Sequence, residues 1–483
     1  MAAANGRVRA ACVAARIGVA ARIGAAARIG AAARIGVAAR TGVAAHIGAA
    51  AALAAAFAAA LAAPALAQRT PSVFGVDAPQ LARLGPYAVG VETIELVDRA
   101  QVDVLSYDKA TRTAPKRDRA LTVDIWYPAH AGAHAPRVLY TGHFPSLPPA
   151  PPARYTVPGI AVRNAAFEGG GYPLVVVSHG YSNEPAAMTW ITENLASKGY
   201  VVAAIHHDDP PITDQAAFPE PVLRRPLDIA FVTATLQRSL AAKHWIDPAR
   251  TALLGYSMGG YGVLTAAGGI LDPDGALAKG VPGGLLLPYA RGGALANALK
   301  VKSLRAIVAI APFGGDPFDA WGRDGLAAIT APLLLIAGDQ DQTVGYLHAA
   351  RAMFDQATGS HRYLLTFKQG GHNVGLNPIP AAMRGNLWNQ DWFQDQVWSK
   401  ERMNAINAHF ITAFLDLFVK GDRSRAAYLN VRVAESSQGV WPAGHHDAYD
   451  AYSPDRGDIT VWKGFQRRHA IGLELLQAEP AAR

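Results

Sequence analysis

One serine stands in a setting that could make it a nucleophile. Ser257 is the middle residue of a G-x-S-x-G pattern at 255–259, the apolar run 252–254 before it predicts a strand, and a helix-capable stretch at 262–267 follows. This context forces the serine into a sharp, strained turn, and the flanking glycines let neighbouring backbone pass close to it. The pattern therefore predicts a nucleophile elbow, which presents the serine hydroxyl at the edge of a sheet.

A serine hydroxyl becomes nucleophilic when a base takes its proton, and that base needs an acid to hold its tautomer. Asp339 and Asp341 come after the apolar run 332–337, and His372 comes after the apolar run 363–367 and a glycine pair. Both runs are typical of buried parallel strands, and ligands bind beyond the carboxyl ends of such strands. We predict that His372 is the general base and Asp341 its orienting acid, whereas Asp339 caps the loop by accepting from nearby amides.

An oxyanion hole is expected after an earlier strand. The β-branched run 173–178 predicts that strand, and the chain turns at Gly180. We assign the two oxyanion donors to the backbone amides of Tyr181 and Met258, the second of which directly follows the nucleophile. His179 lies before the turn, so we expect it to pack and hydrogen-bond rather than to act as the base.

With these residues in place, the chain resembles the α/β-hydrolase superfamily from about residue 85 to about residue 420. Within it, the chain is similar to the dienelactone-hydrolase-like group, which includes platelet-activating-factor acetylhydrolases and bacterial polyester hydrolases of the cutinase type. Besides the elbow, the resemblance is carried by the stretches 85–90, 121–128, 178–180 and 195–204. It implies the α/β-hydrolase fold, a mostly parallel, doubly wound sheet with helices on both faces, and it implies ester hydrolysis.

The resemblance narrows the substrate class only in part. Dienelactone hydrolases use a cysteine where this chain has Ser257, which favours carboxylic esters over dienelactones. Polyester hydrolases are similar to this chain in the aromatic residue after the oxyanion turn, Tyr181, and in the methionine after the serine, Met258. Other hydrolases share both residues, so polymeric and small esters both stay open.

Several connecting segments could shape the cleft. The proline-rich segment 129–171 predicts a surface excursion, and the Gly/Leu/Ala-rich segment 271–302 predicts either an apolar lid or a loose surface loop. The segment 377–402, which follows His372, contains three tryptophans, Trp388, Trp392 and Trp398. They are expected either to line a substrate pocket or to anchor a helix on the core. By analogy, Phe313 points toward the same cleft.

Three parts are expected along the chain. Residues 68–420 form the catalytic domain, which ends with a helix at about 404–420. Residues 421–483 form a carboxyl-terminal extension that packs on this domain, with strands predicted at 428–433 and 459–462. Residues 1–67 are a signal peptide with a low-complexity Arg/Ala-rich n-region.

The amino-terminal segment holds seven arginines and no acidic residue, and the stretch 47–63 is apolar and uncharged. The small residues before Gln68 predict cleavage after Ala67, and hence a periplasmic or secreted protein without stable membrane insertion after cleavage. The alternative is an uncleaved membrane anchor, since the apolar stretch approaches the length of a span. The only cysteine, Cys12, lies in this segment, so the mature chain has no thiol chemistry.

Composition and spacing argue against several other classes. Seven of the eight net positive charges come from the amino-terminal arginines, and the rest of the chain balances 38 basic against 37 acidic residues. This gives no case for nucleic-acid binding. No phosphate-binding glycine motif is present. The run His206-His207-Asp208-Asp209 could suggest a metal site, but adjacent loop residues rarely converge on one ion. For the same reason, the His-His-Asp run at 445–447 is interpreted as a solvated tail. No metal or cofactor is therefore predicted.

These observations predict an exported serine hydrolase that cleaves carboxylic esters through an acyl-enzyme. Its substrate is expected to be a small or polymeric ester. Alternatives within enzymes are a polyester or cutin depolymerase, a lipase and a peptidase. The alternative from another class is a binding protein on a hydrolase scaffold, which an intact Ser–Asp–His set disfavours.

Overall fold

Thirteen β-strands, with helices between them, build the part of the chain that the structure describes. The computed structural model describes residues 70–147, 149–442, 452 and 456–482. The predicted signal peptide, its cleavage point after Ala67, the alternative anchor at 47–63 and the tail segment 445–447 lie outside these residues. Among the described helices, none has the length and apolar composition that crossing a bilayer needs.

The strands form one large mixed sheet and one small hairpin. In chain order they are β1 (Ala88–Val102), β2 (Lys116–His130), β3 (Leu139–Phe144), β4 (Ala153–Pro158), β5 (Val162–Arg163), β6 (Ala166–Phe167), β7 (Tyr172–Ser178), β8 (Val201–Ile205), β9 (Ile246–Tyr256), β10 (Leu304–Ile310), β11 (Leu333–Gly338), β12 (Arg362–Phe367) and β13 (Leu473–Ala478). The large sheet has eleven strands in the order β13-β12-β11-β10-β9-β7-β8-β2-β1-β5, with β6 paired to β2. From β12 to β8 all neighbours are parallel, which confirms the predicted mostly parallel sheet.

Helices cover both faces of this sheet. The α-helices are α1 (Thr189–Ala196), α2 (Pro219–Ala242), α3 (Met258–Ala266), α4 (Ala276–Gly280), α5 (Ala352–Gln356), α6 (Leu387–Phe393), α7 (Lys400–Phe418) and α8 (Ala426–Leu429). Side chains of β7 alternate between the two layers, so that Leu174 and Val176 pack with α2 and α3, whereas Val175 and Val177 pack with α1 and α7. A strand buried on both faces needs apolar residues at every position, which is why its sequence shows no alternation. The predicted α/β-hydrolase architecture is confirmed.

The carboxyl-terminal extension differs from its predicted secondary structure. The stretch 428–433 includes the end of helix α8 and no strand, and 459–462 is also not a strand. The strand of this region is β13, which pairs antiparallel with β12 and so lies at the edge of the large sheet. Its side chains alternate in burial, which fits an edge strand. No strand was predicted at 473–478.

The segment 271–302 packs onto the core. Its buried residues join the layer that contains α2 and α3; they include Leu271, Leu277, Val281, Leu286 and Leu299. Its apolar composition therefore serves packing, which neither the lid nor the loose-loop interpretation anticipated. The proline-rich segment 129–171 carries the β3–β4 hairpin, which is separate from the large sheet.

Candidate active site

Three side chains from separate loops meet at the carboxyl edge of the parallel strands. Ser257 follows β9, Asp341 follows β11 and His372 follows β12. The distance from Ser257 Oγ to His372 Nε2 is 3.0 Å, and the distance from His372 Nδ1 to Asp341 Oδ2 is 2.7 Å. The histidine and the aspartate are buried, whereas the serine is partly exposed. The structure thus brings together all three predicted side chains in one hydrogen-bonded row.

The serine occupies a strained turn between strand and helix. Ser257 has φ 54° and ψ −114°, a conformation that L-residues rarely adopt and that persists only where the surroundings hold it. The turn is tight, because a Cβ on Gly255 would lie 2.2 Å from the Gly259 carbonyl oxygen, and one on Gly259 would lie 2.0 Å from the Ser178 carbonyl oxygen. The two glycines of the pattern are therefore needed for close packing of helix α3 against β7 and β9.

The two competing aspartates have different partners. Asp341 Oδ1 accepts from the amides of Thr343 at 2.9 Å and Val344 at 3.0 Å, while its Oδ2 faces His372. Burial alone raises the pKa of the Asp341 carboxyl, but His372 and the two amides outweigh it and hold this pKa below its usual value. Asp341 is therefore ionised at neutral pH. Asp339 instead accepts from the backbone amide of Gln369 at 2.6 Å, which fits the predicted role of capping the loop.

The loop that carries the histidine is fixed on both sides. Before it, the Gly371 amide donates to Asp395 Oδ2 at 2.7 Å, and after it, Lys400 Nζ donates to the Asn373 carbonyl. Lys400 is the first residue of α7, and burial lowers its pKa to about 7. This support was not predicted, since a lysine that opens a helix is normally exposed.

The three tryptophans of the 377–402 segment serve as anchors. Trp398 Nε1 donates to the Lys368 carbonyl at 2.9 Å, and its ring packs edge-on against Phe367 with centroids 5.1 Å apart. Trp388 Nε1 donates to the Pro145 carbonyl at 3.0 Å, and Trp392 contacts both Trp388 and the β3–β4 hairpin. Of the two predicted roles, these contacts fit the anchoring one.

The predicted oxyanion donors lie on two adjacent loops. Strands β7 and β9 are parallel neighbours with Ser178 paired to Gly255, so the turn after β7 and the elbow after β9 lie side by side. Met258 opens helix α3, and the first amides of a helix have no intrahelical acceptor. Within the described part of the chain, the Tyr181 amide donates to no protein atom. Both amides are therefore free to bind a substrate oxygen.

His179 packs and hydrogen-bonds in the turn, as predicted, and its ring is neutral. Its Nδ1 donates to the Gly180 carbonyl at 2.7 Å, and its Nε2 accepts from the His207 amide at 3.4 Å. Burial, together with the Arg225 guanidinium and the neighbouring histidines, holds the pKa of the His179 ring well below its usual value. It has no hydrogen bond to the serine and cannot compete with His372 as the base.

An aromatic cluster includes Tyr181 of the turn after β7 and Phe313, which follows β10. Phe313 donates its backbone N–H to the Ser257 carbonyl at 3.0 Å, so its backbone lies at the elbow. Phe218 contacts both Tyr181 and Phe313, with ring centroids 5.6 Å and 5.7 Å apart, and Phe318 lies 4.5 Å from Phe313. Phe218 and Phe318 were missed, because nothing in their local pattern indicates that they join this cluster.

The 206–209 run is divided between structural roles. His206 Nε2 lies 2.9 Å from Asp124 Oδ2, and His207 Nδ1 lies 2.9 Å from Asp228 Oδ2. Among the residues that the structure describes, no group of three or more His, Cys, Asp or Glu side chains is arranged to hold a metal ion. Asp209 pairs with Arg225 beneath the oxyanion turn. Arg225 was missed, because an arginine on an amphipathic helix normally indicates an exposed face.

The fold and the arrangement of these residues are those of the α/β-hydrolase class. Six consecutive parallel strands, helices on both faces and a strand–elbow–helix unit ahead of an aspartate and a histidine are the features of that class. Residues 162–271 match the protein family described as PETase, PET hydrolase-like. The matched residues include the predicted oxyanion turn and the elbow.

Within this class, the chain is similar to cutinase-type polyester hydrolases. It is 35% identical over 100 residues to cutinase est2 of Thermobifida alba, a match that covers 21% of this chain and 31% of that protein. It is 36% identical over 100 residues to cutinase 2 of Thermobifida cellulosilytica, covering 21% of this chain and 36% of that protein. The match thus spans about a third of the length of these relatives. A ferulic acid esterase from Streptomyces cinnamoneus aligns with a TM-score of 0.44 and 20% identity, over 69% of this chain and 91% of that one.

Proposed function

We propose that this protein is a serine hydrolase that cleaves carboxylic esters through an acyl-enzyme. The observation that carries the proposal is the hydrogen-bonded row of Ser257, His372 and Asp341, with 3.0 Å between Oγ and Nε2 and 2.7 Å between Nδ1 and the carboxylate. An elbow serine with an oriented base is the arrangement that acyl transfer needs. The similarity to cutinases supports esters rather than amides as substrates.

In the first half-reaction, His372 Nε2 takes the proton of Ser257 Oγ while Oγ forms a bond to the ester carbonyl carbon. The carbonyl oxygen becomes an oxyanion, which accepts hydrogen bonds from the Tyr181 and Met258 amides. When the intermediate collapses, the bond to the alkoxy oxygen breaks, and His372 gives its proton to the leaving alcohol. The products of this step are the free alcohol and an acyl group on Ser257.

In the second half-reaction, water replaces the alcohol. His372 takes a proton from the water as its oxygen attacks the acyl carbon, and the same two amides hold the oxyanion. Collapse breaks the bond to Ser257 Oγ, which recovers a proton from His372. Throughout, the ionised Asp341 holds the histidine in the tautomer that keeps Nε2 free to accept, and stabilises the imidazolium when it forms. These steps use side chains and backbone of this chain alone.

Polymeric esters are the second candidate substrate. The match to the PET hydrolase-like family supports this, and so does the aromatic cluster of Tyr181, Phe218, Phe313 and Phe318, because Phe313 is bonded through its backbone to Ser257. Such rings favour an ester with a flat or extended acyl part. A series of p-nitrophenyl esters of increasing acyl length, measured beside release of soluble products from a polyester film, tests this. Turnover of short esters without any product from the film would limit the substrates to small esters.

We also propose that the protein is exported and that the mature chain begins at Gln68. Under this proposal, residues 68–420 form the catalytic domain and residues 421–483 its extension, which the pairing of β13 with β12 supports. Amino-terminal sequencing of protein recovered from the medium or the periplasm tests the export proposal. Recovery of the full chain in the membrane fraction would instead favour the uncleaved anchor.

Removing the serine hydroxyl tests the proposed activity. Ser257→Ala should abolish hydrolysis of p-nitrophenyl acetate and labelling by a fluorophosphonate probe, whereas Ser424→Ala, at an exposed site outside the cleft, should keep both. Undiminished turnover in Ser257→Ala would refute the assignment. Failure of the unaltered protein both to label and to hydrolyse would favour a binding protein on a hydrolase scaffold.

A further inference from the structure

A buried ion pair lies directly beneath the turn that carries the first oxyanion donor. Arg225 of helix α2 and Asp209 of the loop after β8 pair through Nη2 and Oδ2, and their side chains are 0% and 3% exposed. We infer that this pair is the positioning device that aims the Tyr181 amide at the oxyanion. The inference rests on the proposed ester hydrolysis and adds two positioning residues to it.

The pair holds the peptide units on both sides of Tyr181. Before Tyr181, the Gly180 carbonyl accepts from Arg225 Nη2 at 3.1 Å, and the His179 carbonyl accepts from Arg225 Nη1. After Tyr181, the Ser182 amide donates to Asp209 Oδ2 at 3.0 Å. One ion pair thus fixes three consecutive peptide groups of the turn.

Fixing the Gly180 carbonyl also fixes the direction of the Tyr181 N–H. The two groups belong to one trans peptide unit, in which the C=O and the N–H point in opposite directions. The carbonyl accepts from Arg225 Nη2, from His179 Nδ1 and from the Asn183 amide at 3.2 Å, so the N–H points away from these donors. Gly180 lies against Tyr256, the residue before the nucleophile, since a Cβ on Gly180 would be 2.9 Å from that ring. The amide is therefore held beside the elbow.

The turn needs such support because its backbone is strained. Ser182 has φ 53°, in the left-handed region that non-glycine residues rarely occupy. A residue keeps such a conformation only where neighbouring groups over-determine it. Here the amide of Ser182 is held by Asp209, and its hydroxyl donates to the Pro210 carbonyl at 2.8 Å. Without these bonds the strain would favour rotation of the adjacent peptide units.

An ion pair is an unusual choice for this position. Burying two charges carries a large desolvation penalty, and apolar residues of similar volume often stabilise a protein as well or better. Apolar residues, however, could not donate to two carbonyls and accept from an amide. The guanidinium is further fixed by Ser178 Oγ, which accepts from Nη1 at 3.1 Å and in turn donates to His207 Nε2 at 2.9 Å. This arrangement fits a role in fixing geometry better than a role in stability.

Arg225→Lys tests the inference, because lysine keeps the charge but cannot donate to both carbonyls in a fixed plane. Loss of one oxyanion donor lowers kcat by about 10² or more, so a misdirected donor should lower kcat for p-nitrophenyl acetate by about 10-fold to 100-fold. KM should change little, since this bond strengthens in the transition state. The inhibition constant of a trifluoromethyl ketone, which mimics the oxyanion, should rise by a similar factor.

Arg362→Lys is the matched control. Arg362 is also buried and donates to backbone carbonyls, of Phe354 at 2.6 Å, Ser360 at 3.3 Å and Glu479 at 3.1 Å, but it lies at the amino end of β12, away from the site. It should lose stability in a urea titration without a matching loss of kcat. An equal loss of kcat in both variants would mean that Arg225 acts through stability alone, and would overturn the inference.

A second variant covers the case in which Arg225→Lys does not fold. Asp209→Asn keeps the guanidinium but loosens it and weakens the acceptor for Ser182, so kcat should fall by a smaller factor, about 10-fold. Unchanged kcat and inhibitor binding in whichever variant folds would overturn the inference while leaving ester hydrolysis intact. An unaltered protein that neither hydrolyses esters nor labels with fluorophosphonate would instead overturn the proposed function.

Discussion

Replacing Asp341 by asparagine tests the base–acid pair without changing the shape of the site. Asp341 Oδ2 lies 2.7 Å from His372 Nδ1, and its Oδ1 accepts from the amides of Thr343 at 2.9 Å and Val344 at 3.0 Å. In Asp341→Asn, these two amides require the side-chain oxygen at the Oδ1 position, because an NH₂ group there would face two other donors. The asparagine nitrogen is therefore forced toward the histidine.

The size of the effect follows from the tautomer. An NH₂ group can only donate, so His372 must leave Nδ1 unprotonated and carry its proton on Nε2. Nε2 then faces Ser257 as a donor and cannot take the hydroxyl proton. In serine triads the wrong tautomer lowers kcat by about 10⁴-fold, which corresponds to about 5.5 kcal/mol of transition-state stabilisation. We expect a loss of this order for Asp341→Asn.

Initial rates with p-nitrophenyl acetate measure kcat, and circular dichroism with a urea titration checks that each variant folds. Asp339→Asn is the matched control, since Asp339 braces the Gln369 amide at 2.6 Å and not the histidine, so its kcat should stay within about twofold. If Asp341→Asn kept more than about a tenth of kcat, the tautomer argument would be refuted. A larger loss in Asp339→Asn would make that residue the acid instead.

Two further predictions concern the groups around the site. Burial lowers the pKa of Lys400 from 10.5 to about 7. At a pH between these two values, Lys400 is protonated in the unfolded chain and neutral in the folded one. The cost of burying its charge is therefore fully present below pH 7 and decreases as the pH rises. We expect the free energy of unfolding, relative to that of Lys400→Met, to increase by up to about 1.4 kcal/mol per pH unit from about pH 8 to about pH 10. Urea titrations of both proteins measure this difference. A constant difference between the two proteins would contradict this. Gly259→Ala would place a Cβ 2.0 Å from the Ser178 carbonyl oxygen and should lower kcat or stability severely, whereas Gly132→Ala, which meets nothing within 4 Å, should leave both unchanged. Equal behaviour of the two alanine variants in the same assays would show that the elbow tolerates the extra carbon.

The positions of the site residues that directly follow parallel strands could be predicted, because the fold places the ends of these strands close together. Ser257, Asp341 and His372 each follow an apolar run, and parallel strands place their carboxyl ends at one sheet edge. The same reasoning led to the proposed donors Tyr181 and Met258, and the strands that precede them are direct neighbours in the sheet. For Ser257, Asp341 and His372, the local pattern and the topology carry the same information about position, and the hydrogen bonds among them agree with it.

The features that the sequence analysis did not predict depend on contacts that no local sequence pattern encodes. Strand β13 could not be predicted, because its six residues alternate weakly and its partner β12 lies more than a hundred residues earlier. Arg225 and Lys400 have the sequence signature of exposed helix residues, yet both are buried against backbone carbonyls. Their burial is decided by which loops fold over the helix ends, and tertiary packing overrides the general preference of charged residues for solvent.

The structure contains a second Ser–His–Asp row, and the comparison shows what a nucleophile needs beyond distances. Ser178 Oγ lies 2.9 Å from His207 Nε2, and His207 Nδ1 lies 2.9 Å from Asp228 Oδ2, much as in the row of Ser257. Ser178, however, is fully buried at the end of a regular strand, and its oxygen accepts from Arg225. Burial, together with nearby guanidinium groups, holds the pKa of His207 well below its usual value, so this ring is a poor proton acceptor. The partly exposed hydroxyl on the strained elbow is therefore the one that we propose as the nucleophile, whereas the buried row is bonded to Arg225, which we propose to hold the turn beside it.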